Sequence, residues 1–238
     1  DGGATWRPLV LADTGTHNAR LVDLDGNGTI DVVGKNFDGP KQVEAWYTRL
    51  EAVTDTASPA ATTALDGFQY VEVDATREPS DTLGAYFGLA FGDVDGDGHD
   101  DIVSGNYVYE NPGSDLTASW ERTQLDEVIG TDVDAMLVAD LDGDRFTDII
   151  ATALPDVWWI ETDGSSWQGR IVASVPATGR PNGQGYRVGD LVGDDRLEII
   201  LSGGPGESEV WYVELPDDPD TQQWPSTMIT SSATDEQV

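Results

Sequence analysis

The residues in this chain best suited to chemistry are carboxylates set in short glycine-bearing loops. In Asp93-Val94-Asp95-Gly96-Asp97-Gly98-His99-Asp100-Asp101, acidic side chains fill positions one, three, five and nine, with Asp100 as an extra at eight. Glycines at positions four and six let the backbone turn tightly, because glycine accepts positive φ at little steric cost. Carboxylates this close repel one another unless a cation sits among them, and hard oxygen donors at alternating positions suit Ca²⁺. The same frame is filled by Asp23-Leu24-Asp25-Gly26-Asn27-Gly28-Thr29-Ile30-Asp31, where Asn27 is a neutral oxygen donor. It is filled again by Asp140-Leu141-Asp142-Gly143-Asp144-Arg145-Phe146-Thr147-Asp148. A fourth copy, Asp190-Leu191-Val192-Gly193-Asp194-Asp195-Arg196-Leu197-Glu198, is degenerate, because Val192 stands where position three needs an oxygen. Each loop runs into an apolar pair: Val32-Val33, Ile102-Val103, Ile149-Ile150 and Ile199-Ile200.

The elements that must hold these loops recur with them. Position one falls at residues 23, 93, 140 and 190, so the spacings are 70, 47 and 50. Periods near 50 point to propellers, solenoids or arrays. Each unit opens on an aromatic-led alternating strand, at Trp6, Phe68, Trp120 and Trp167. A small-residue strand enters the loop, as at Gly88–Asp93 and Ala135–Asp140, and an apolar strand leaves it. A closing aromatic strand follows, as in Trp46-Tyr47, Tyr107-Val108-Tyr109, Trp158-Trp159 and Trp211-Tyr212. Four short strands per unit are the pattern of a propeller blade.

The expected fold is all-β, a single β-propeller domain over 1–238 with about four blades and repeats at 6–67, 68–119, 120–166 and 167–223. The stretch 52–65 reads as a surface loop. Trp224-Pro225-Ser226-Thr227-Met228-Ile229 matches the strand at Trp6 and reads as the start of a fifth unit over 224–238. Five opening strands against four loops suggest an excerpt of a seven- or eight-bladed propeller; a closed four-bladed ring with a spare tail is the alternative. Aligning the closing strands on their aromatics puts Trp46, Val108, Trp159 and Trp211 on one face, and Tyr47, Tyr109, Ile160 and Tyr212 on the other. Packing between blades is the expected use of these rings, with stacking of an exposed subset on sugars as the sharper alternative.

An EF-hand shares the early part of this frame but needs a bidentate Glu at position twelve and flanking helices. Position twelve here is Gly34, Ser104, Ala151 and Leu201. The loops therefore join strands. Asp-x-Asp-Gly-Asp-Gly-x-x-Asp followed by Ile/Val, with Phe91-Gly92 ahead of Asp93 and Val188-Gly189 ahead of Asp190, resembles the FG-GAP/VCBS repeat. That repeat is the calcium-binding blade of integrin-α-like propellers. The resemblance spans all four units. It implies Ca²⁺ held by side chains at positions one, three, five and nine and by the carbonyl of position seven. Its ligands would be Asp23, Asp25, Asn27, Thr29 and Asp31; Asp93, Asp95, Asp97, His99 and Asp101; and Asp140, Asp142, Asp144, Phe146 and Asp148. Thr29, His99 and Phe146 would offer only backbone oxygen. In the fourth loop Asp190, Asp194 and Glu198 remain, with binding weak or absent. About three ions are expected, with Mg²⁺ as a substitute, and they are expected to brace blades rather than catalyse.

Composition sets further bounds. The formal net charge is -33 over 238 residues, of which three divalent cations would offset only six. A surface this acidic makes nucleic acid and anionic membrane unlikely partners. Ten Arg stand against Lys35 and Lys41 alone, a balance that resembles proteins of salt-loving microbes; an acidic secreted protein from elsewhere is the plainer reading. There is no cysteine, which excludes disulfide and thiolate-metal chemistry. No apolar run approaches the ~20 residues of a membrane helix. The chain starts at Asp1 rather than Met and reads as a mature form or an excerpt, extracellular or displayed on a surface.

Catalytic groupings are sparse. His17 reads as a polar surface residue and His99 lies inside a metal loop. The loop 178–187 carries Arg180 and Arg187, which could grip an acidic sugar or carboxylate. The expected function is a calcium-stabilised binding or scaffold propeller with a glycan or protein ligand, leaning away from an enzyme. The alternative is the propeller part of a polysaccharide lyase, similar to that of rhamnogalacturonan lyases.

Overall fold

The computed structural model describes residue 11 and residues 18–35, 43–48, 68–76, 88–179, 186–220 and 222–231. Among the described residues, sixteen strands form four antiparallel four-stranded sheets. The first holds β1 (Asn18–Val22), β2 (Asp31–Lys35), β3 (Val43–Thr48) and β4 (Phe68–Asp74). The second holds β5 (Ala90–Gly92), β6 (Asp101–Ser104), β7 (Tyr107–Glu110) and β8 (Glu121–Gln124). The third holds β9 (Asp134–Ala139), β10 (Asp148–Ala153), β11 (Asp156–Thr162) and β12 (Trp167–Ser174). The fourth holds β13 (Arg187–Gly189), β14 (Glu198–Gly203), β15 (Glu209–Glu214) and β16 (Ser226–Thr230). In every sheet the strands lie side by side in chain order. One α-helix, α1 (Leu125–Ile129), occurs among the described residues and stops at Gly130 in the left-handed conformation.

These sheets divide the chain one strand later than the units read from the sequence. The aromatic-led strand expected to open a unit pairs instead with the closing strand before it: β4 with β3, β8 with β7, β12 with β11 and β16 with β15. The strand after Trp224 thus completes the fourth sheet and need not begin a fifth. The Trp6 stretch, residues 52–65, His17 and Arg180 lie outside the described residues.

Register also corrects the alignment of the closing strands. The residue after position nine faces Trp46, Tyr109, Ile160 and Val213 in the four sheets. The next one faces Ala45, Val108, Trp159 and Tyr212. Trp46 and Trp211 therefore sit one place away from Val108 and Trp159, on the opposite face. Alignment on a shared aromatic slipped by one residue, and one residue reverses the face.

The described residues form two compact units: the first sheet with Gly113–Ser119, and the other three sheets. In the larger unit the sheets pack face to face in chain order, a propeller-like arrangement. Val94, Val103 and Val108 of the second sheet and Leu125 of α1 meet Ile149, Ala151 and Ile160 of the third. The other face of the third sheet, with Ile150, Val157, Trp159 and Val172, meets Ile199, Leu201 and Val213 of the fourth. Alternate residues of β10 thus serve opposite neighbours, as strand geometry requires. Burying each such aliphatic side chain contributes about 1.5–3 kcal/mol. Trp159 is wholly buried, tilted against Trp224 with ring centroids 5.3 Å apart. Arg170 lies 3.9 Å over its ring and ties β12 to Asp220 at 2.9 Å.

Candidate metal centres

Each acidic loop joins the first and second strands of its sheet, and position nine is the first residue of the second strand. That placement buries Asp31, Asp101, Asp148 and Glu198 completely or nearly so. The loop is shaped by its own carboxylates. In the second loop Asp93 Oδ1 accepts the Gly96 N–H at 2.7 Å, and Oδ2 accepts that of Gly98 at 3.0 Å. Asp95 Oδ1 accepts the Asp97 N–H at 3.0 Å, and Asp97 Oδ1 accepts the His99 N–H at 2.8 Å. The third loop repeats all four bonds through Asp140, Asp142 and Asp144. The bonds at positions three and five are Asx turns in series, a side-chain oxygen accepting the N–H two residues on, whereas position one reaches three and five residues ahead. Positions four and six take positive φ in every loop, the glycines between 68° and 90°.

Position nine closes the loop. Its carboxylate accepts the N–H of position two: Leu24 on Asp31 and Val94 on Asp101 at 2.8 Å, Leu141 on Asp148 at 2.9 Å, and Leu191 on Glu198 at 2.5 Å. The second oxygen of Asp31 accepts the Thr48 N–H at 2.7 Å, and that of Asp101 the Asn111 N–H at 2.8 Å. Asp148 Oδ1 and Glu198 Oε1 are buried without a hydrogen-bond partner among the described residues.

The structure brings together Asp23, Asp25 and Asp31; Asp93, Asp95 and Asp101; Asp140, Asp142 and Asp148; and Asp190, Asp194 and Glu198. Within each group the nearest carboxylate oxygens lie within 4.8 Å of one another. Oxygens around one ion at about 2.3–2.6 Å can be no farther apart than about 5 Å, so each group could hold a hard cation. Asp97 and Asp144, at position five, are not part of these groups. Asn27 Oδ1 accepts from the Thr29 N–H at 2.8 Å and from the Thr29 hydroxyl, while its amide donates to Asp25 at 2.8 Å. The fourth loop gathers three carboxylates despite Val192, with position five in place of position three.

Electrostatics mark five carboxylates of the first three loops. Burial pushes Asp101 up to about 7, against the N–H bonds from Asn111 and Val94; Asp95 and Asp97 add repulsion. Burial likewise raises Asp148 to about 7, opposed by the Leu141 N–H, with Asp142 and Asp144 adding to the rise. Asp31, Asp95 and Asp142 are raised, again chiefly by burial. Glu110, at the end of β7, rises through burial and the charge of Asp95, and Glu161, near the end of β11, through burial and the charges of Asp220 and then Asp142. A cation among such groups reverses this, because opposite charge favours the ionised form.

Adjacent loops touch in the larger unit. Thr147 donates its N–H to Asp93 O at 3.0 Å. The Phe146 ring covers Gly96 and Gly164, where an added Cβ would stand 2.6 and 2.5 Å from it. The sequence marked Phe146 only as a backbone donor; its side chain joins two loops. Arg187 is exposed and donates to the neighbouring Tyr186 carbonyl at 2.7 Å. The closing-strand aromatics Trp46, Tyr107, Tyr109 and Trp159 are buried packing groups, whereas Tyr70 on β4 is 46% exposed.

No family model and no curated protein matches this chain. Its structure resembles a solved Agrocybe aegerita lectin, described as specifically recognising non-reducing terminal N-acetylglucosamine. The two share 21% sequence identity with a TM-score of 0.53 over 89% of this chain and 51% of the other. The chain spans about half the length of that lectin, and the likeness is one of fold. Fold and site together define an all-β protein of four-stranded sheets, with one acidic loop at the same place in each.

Proposed function

We propose that this chain is a calcium-braced, FG-GAP/VCBS-type propeller module that binds carbohydrate outside the cell or at its surface. The observation that carries the reading is the fourfold recurrence of the acidic group, each with a buried carboxylate at the mouth of the second strand. Bound Ca²⁺ supplies compact positive charge that lets these carboxylates ionise together. The chain's own residues orient it: positions one, three and five shape the loop, and position nine anchors it to the sheet. A cation bound only to the folded loop stabilises the fold by about 2.7 kcal/mol at a hundredfold excess over Kd. The carbohydrate ligand is supported by the fold likeness to a lectin and by the acidic surface, which disfavours polyanionic partners.

The test uses the full chain, stripped with chelator or loaded with Ca²⁺. It measures the melting midpoint in both states, together with a glycan array that includes terminal N-acetylglucosamine. Calcium should raise the midpoint clearly, and only the loaded chain should bind sugar. An unchanged midpoint sinks the brace, and a silent array sinks the ligand class. Oligosaccharides run in parallel should stay uncleaved; cleavage would favour the lyase alternative.

A further inference from the structure

We propose that the uncovered face of the fourth sheet, bearing Leu191, Ile200, Tyr212 and Arg187, docks the first sheet of a second copy of this chain, so that copies associate head to tail. In the larger unit the sheets stack in one sense. The forward face of a sheet carries loop position two, the second residue after position nine, and the partner of that residue on the third strand. In the second sheet these are Val94 and the pair Val103–Val108; in the third they are Leu141 and the pair Ile150–Trp159. Both sets pack on the backward face of the next sheet, which carries the first residue after position nine and its own partner.

In the fourth sheet the same positions are open. At position two, Leu24 and Val94 are 1% exposed and Leu141 is 7% exposed, whereas Leu191 is 50% exposed. Val103, Val108, Ile150 and Trp159 are buried; their equivalents Ile200 and Tyr212, paired across β14 and β15, are half-buried. Arg187 pairs with Ile200, shares its face and is exposed. Ile199, Leu201 and Val213 point the other way and are already packed on the third sheet. The forward face therefore leaves in water an apolar row that the rest of the stack buries, and covering it is favourable.

The first sheet has the matching opening on its backward face. There the row Leu21, Val32, Trp46 and Tyr70 runs across all four strands. The equivalent pairs Ile102–Tyr109, Ile149–Ile160 and Ile199–Val213 of the other sheets are at most 1% exposed. In the first sheet Trp46 is covered, but Leu21 is 71% and Tyr70 46% exposed. The next row on this face carries Glu44 and Glu72. An apolar row with a guanidinium beside it thus faces an apolar row with two carboxylates beside it, and opposite signs favour this pairing of faces. The contact continues the forward-on-backward packing that joins the second, third and fourth sheets. Because it uses two different surfaces it is heterologous, and it either closes a ring of copies or extends a row of them.

Sedimentation velocity on the full chain in calcium, from about 1 μM to about 1 mM, reads the association. NaCl near 1 M cuts the reach of repulsion between copies of charge -33 to ~3 Å. The mass should rise with concentration to at least twice that of one chain. Leu21→Asp and Leu191→Asp change exposed side chains, so each should keep the near-ultraviolet circular dichroism of wild type and weaken association at least about tenfold. Mixed in equal amounts, the two variants should pair, because Leu21→Asp keeps an intact fourth-sheet face and Leu191→Asp an intact first-sheet face. Should either variant lose the wild-type spectrum, Tyr70→Asp or Arg187→Glu takes its place in the same mixture. A single-chain mass at every concentration, undiminished association in either variant, or a mixture that does not pair overturns the inference.

Discussion

Arg145 and Asp195 hold position six of their loops at φ 88° and 67°, where the first two loops use Gly28 and Gly98. A residue with a Cβ pays roughly 1–2 kcal/mol in this region, partly offset by the larger chain entropy glycine loses on folding. Arg145→Gly and Asp195→Gly should therefore each stabilise the ion-free protein by about 0.5–1 kcal/mol, read as a higher urea midpoint. A second prediction concerns protons. Asp101 and Asp148 have folded pKa values of about 7, above the ordinary 3.8, so the ion-free fold binds protons that the unfolded chain has released. Their contribution is then fully present below about pH 4 and lost as pH rises to about 7. Urea midpoints in chelator should fall between pH 4.5 and 7.5; saturating calcium should remove the fall, and Asp101→Asn should reduce it. A midpoint that rises over this range in chelator refutes the linkage. The donor spacing behind both effects was legible in the sequence. The buried setting of position nine was not, because it depends on neighbouring strands and sheets.

At the scale of elements, α1 rests on β12 at Gly169, where an added Cβ would lie 2.0 Å from Ile129 Cγ2. Gly169→Ala should push α1 off its seat and cost about 1–3 kcal/mol. Calorimetric melting should show it, with no change in calcium stoichiometry, because the loops are built elsewhere. An unchanged melting midpoint would mean that the helix shifts without loss. Neither α1 nor its glycine seat is visible in the sequence, since five residues are too few for a helical period to register. The strands were easier to find than to group. Turn residues and apolar runs mark where each begins, but pairing β8 with β7 or β12 with β11 is a long-range choice. So is register: counting from position nine gives the observed faces, whereas counting from the aromatics reverses Trp46 and Trp211.

For the whole molecule, the net charge of -33 acts on every sheet at once. Salt shortens the reach of repulsion from ~10 Å at 0.1 M to ~3 Å at 1 M. Raising NaCl from 0.1 to about 1 M at constant calcium should therefore raise the melting midpoint, and sodium sulfate at equal ionic strength should do so further. A flat response to NaCl would refute repulsion among these charges as a destabilising force. The chain by itself determined the four loops, their closely spaced carboxylates, the strand class and the acidic composition, because each is written in residue type at short spacing. Only the tertiary structure decided which carboxylates meet, that Asp194 takes the part left by Val192, and which strand completes which sheet. Those outcomes depend on hydrogen bonds and packed side chains between residues far apart in the chain, where a shift of one residue exchanges the buried face for the exposed one.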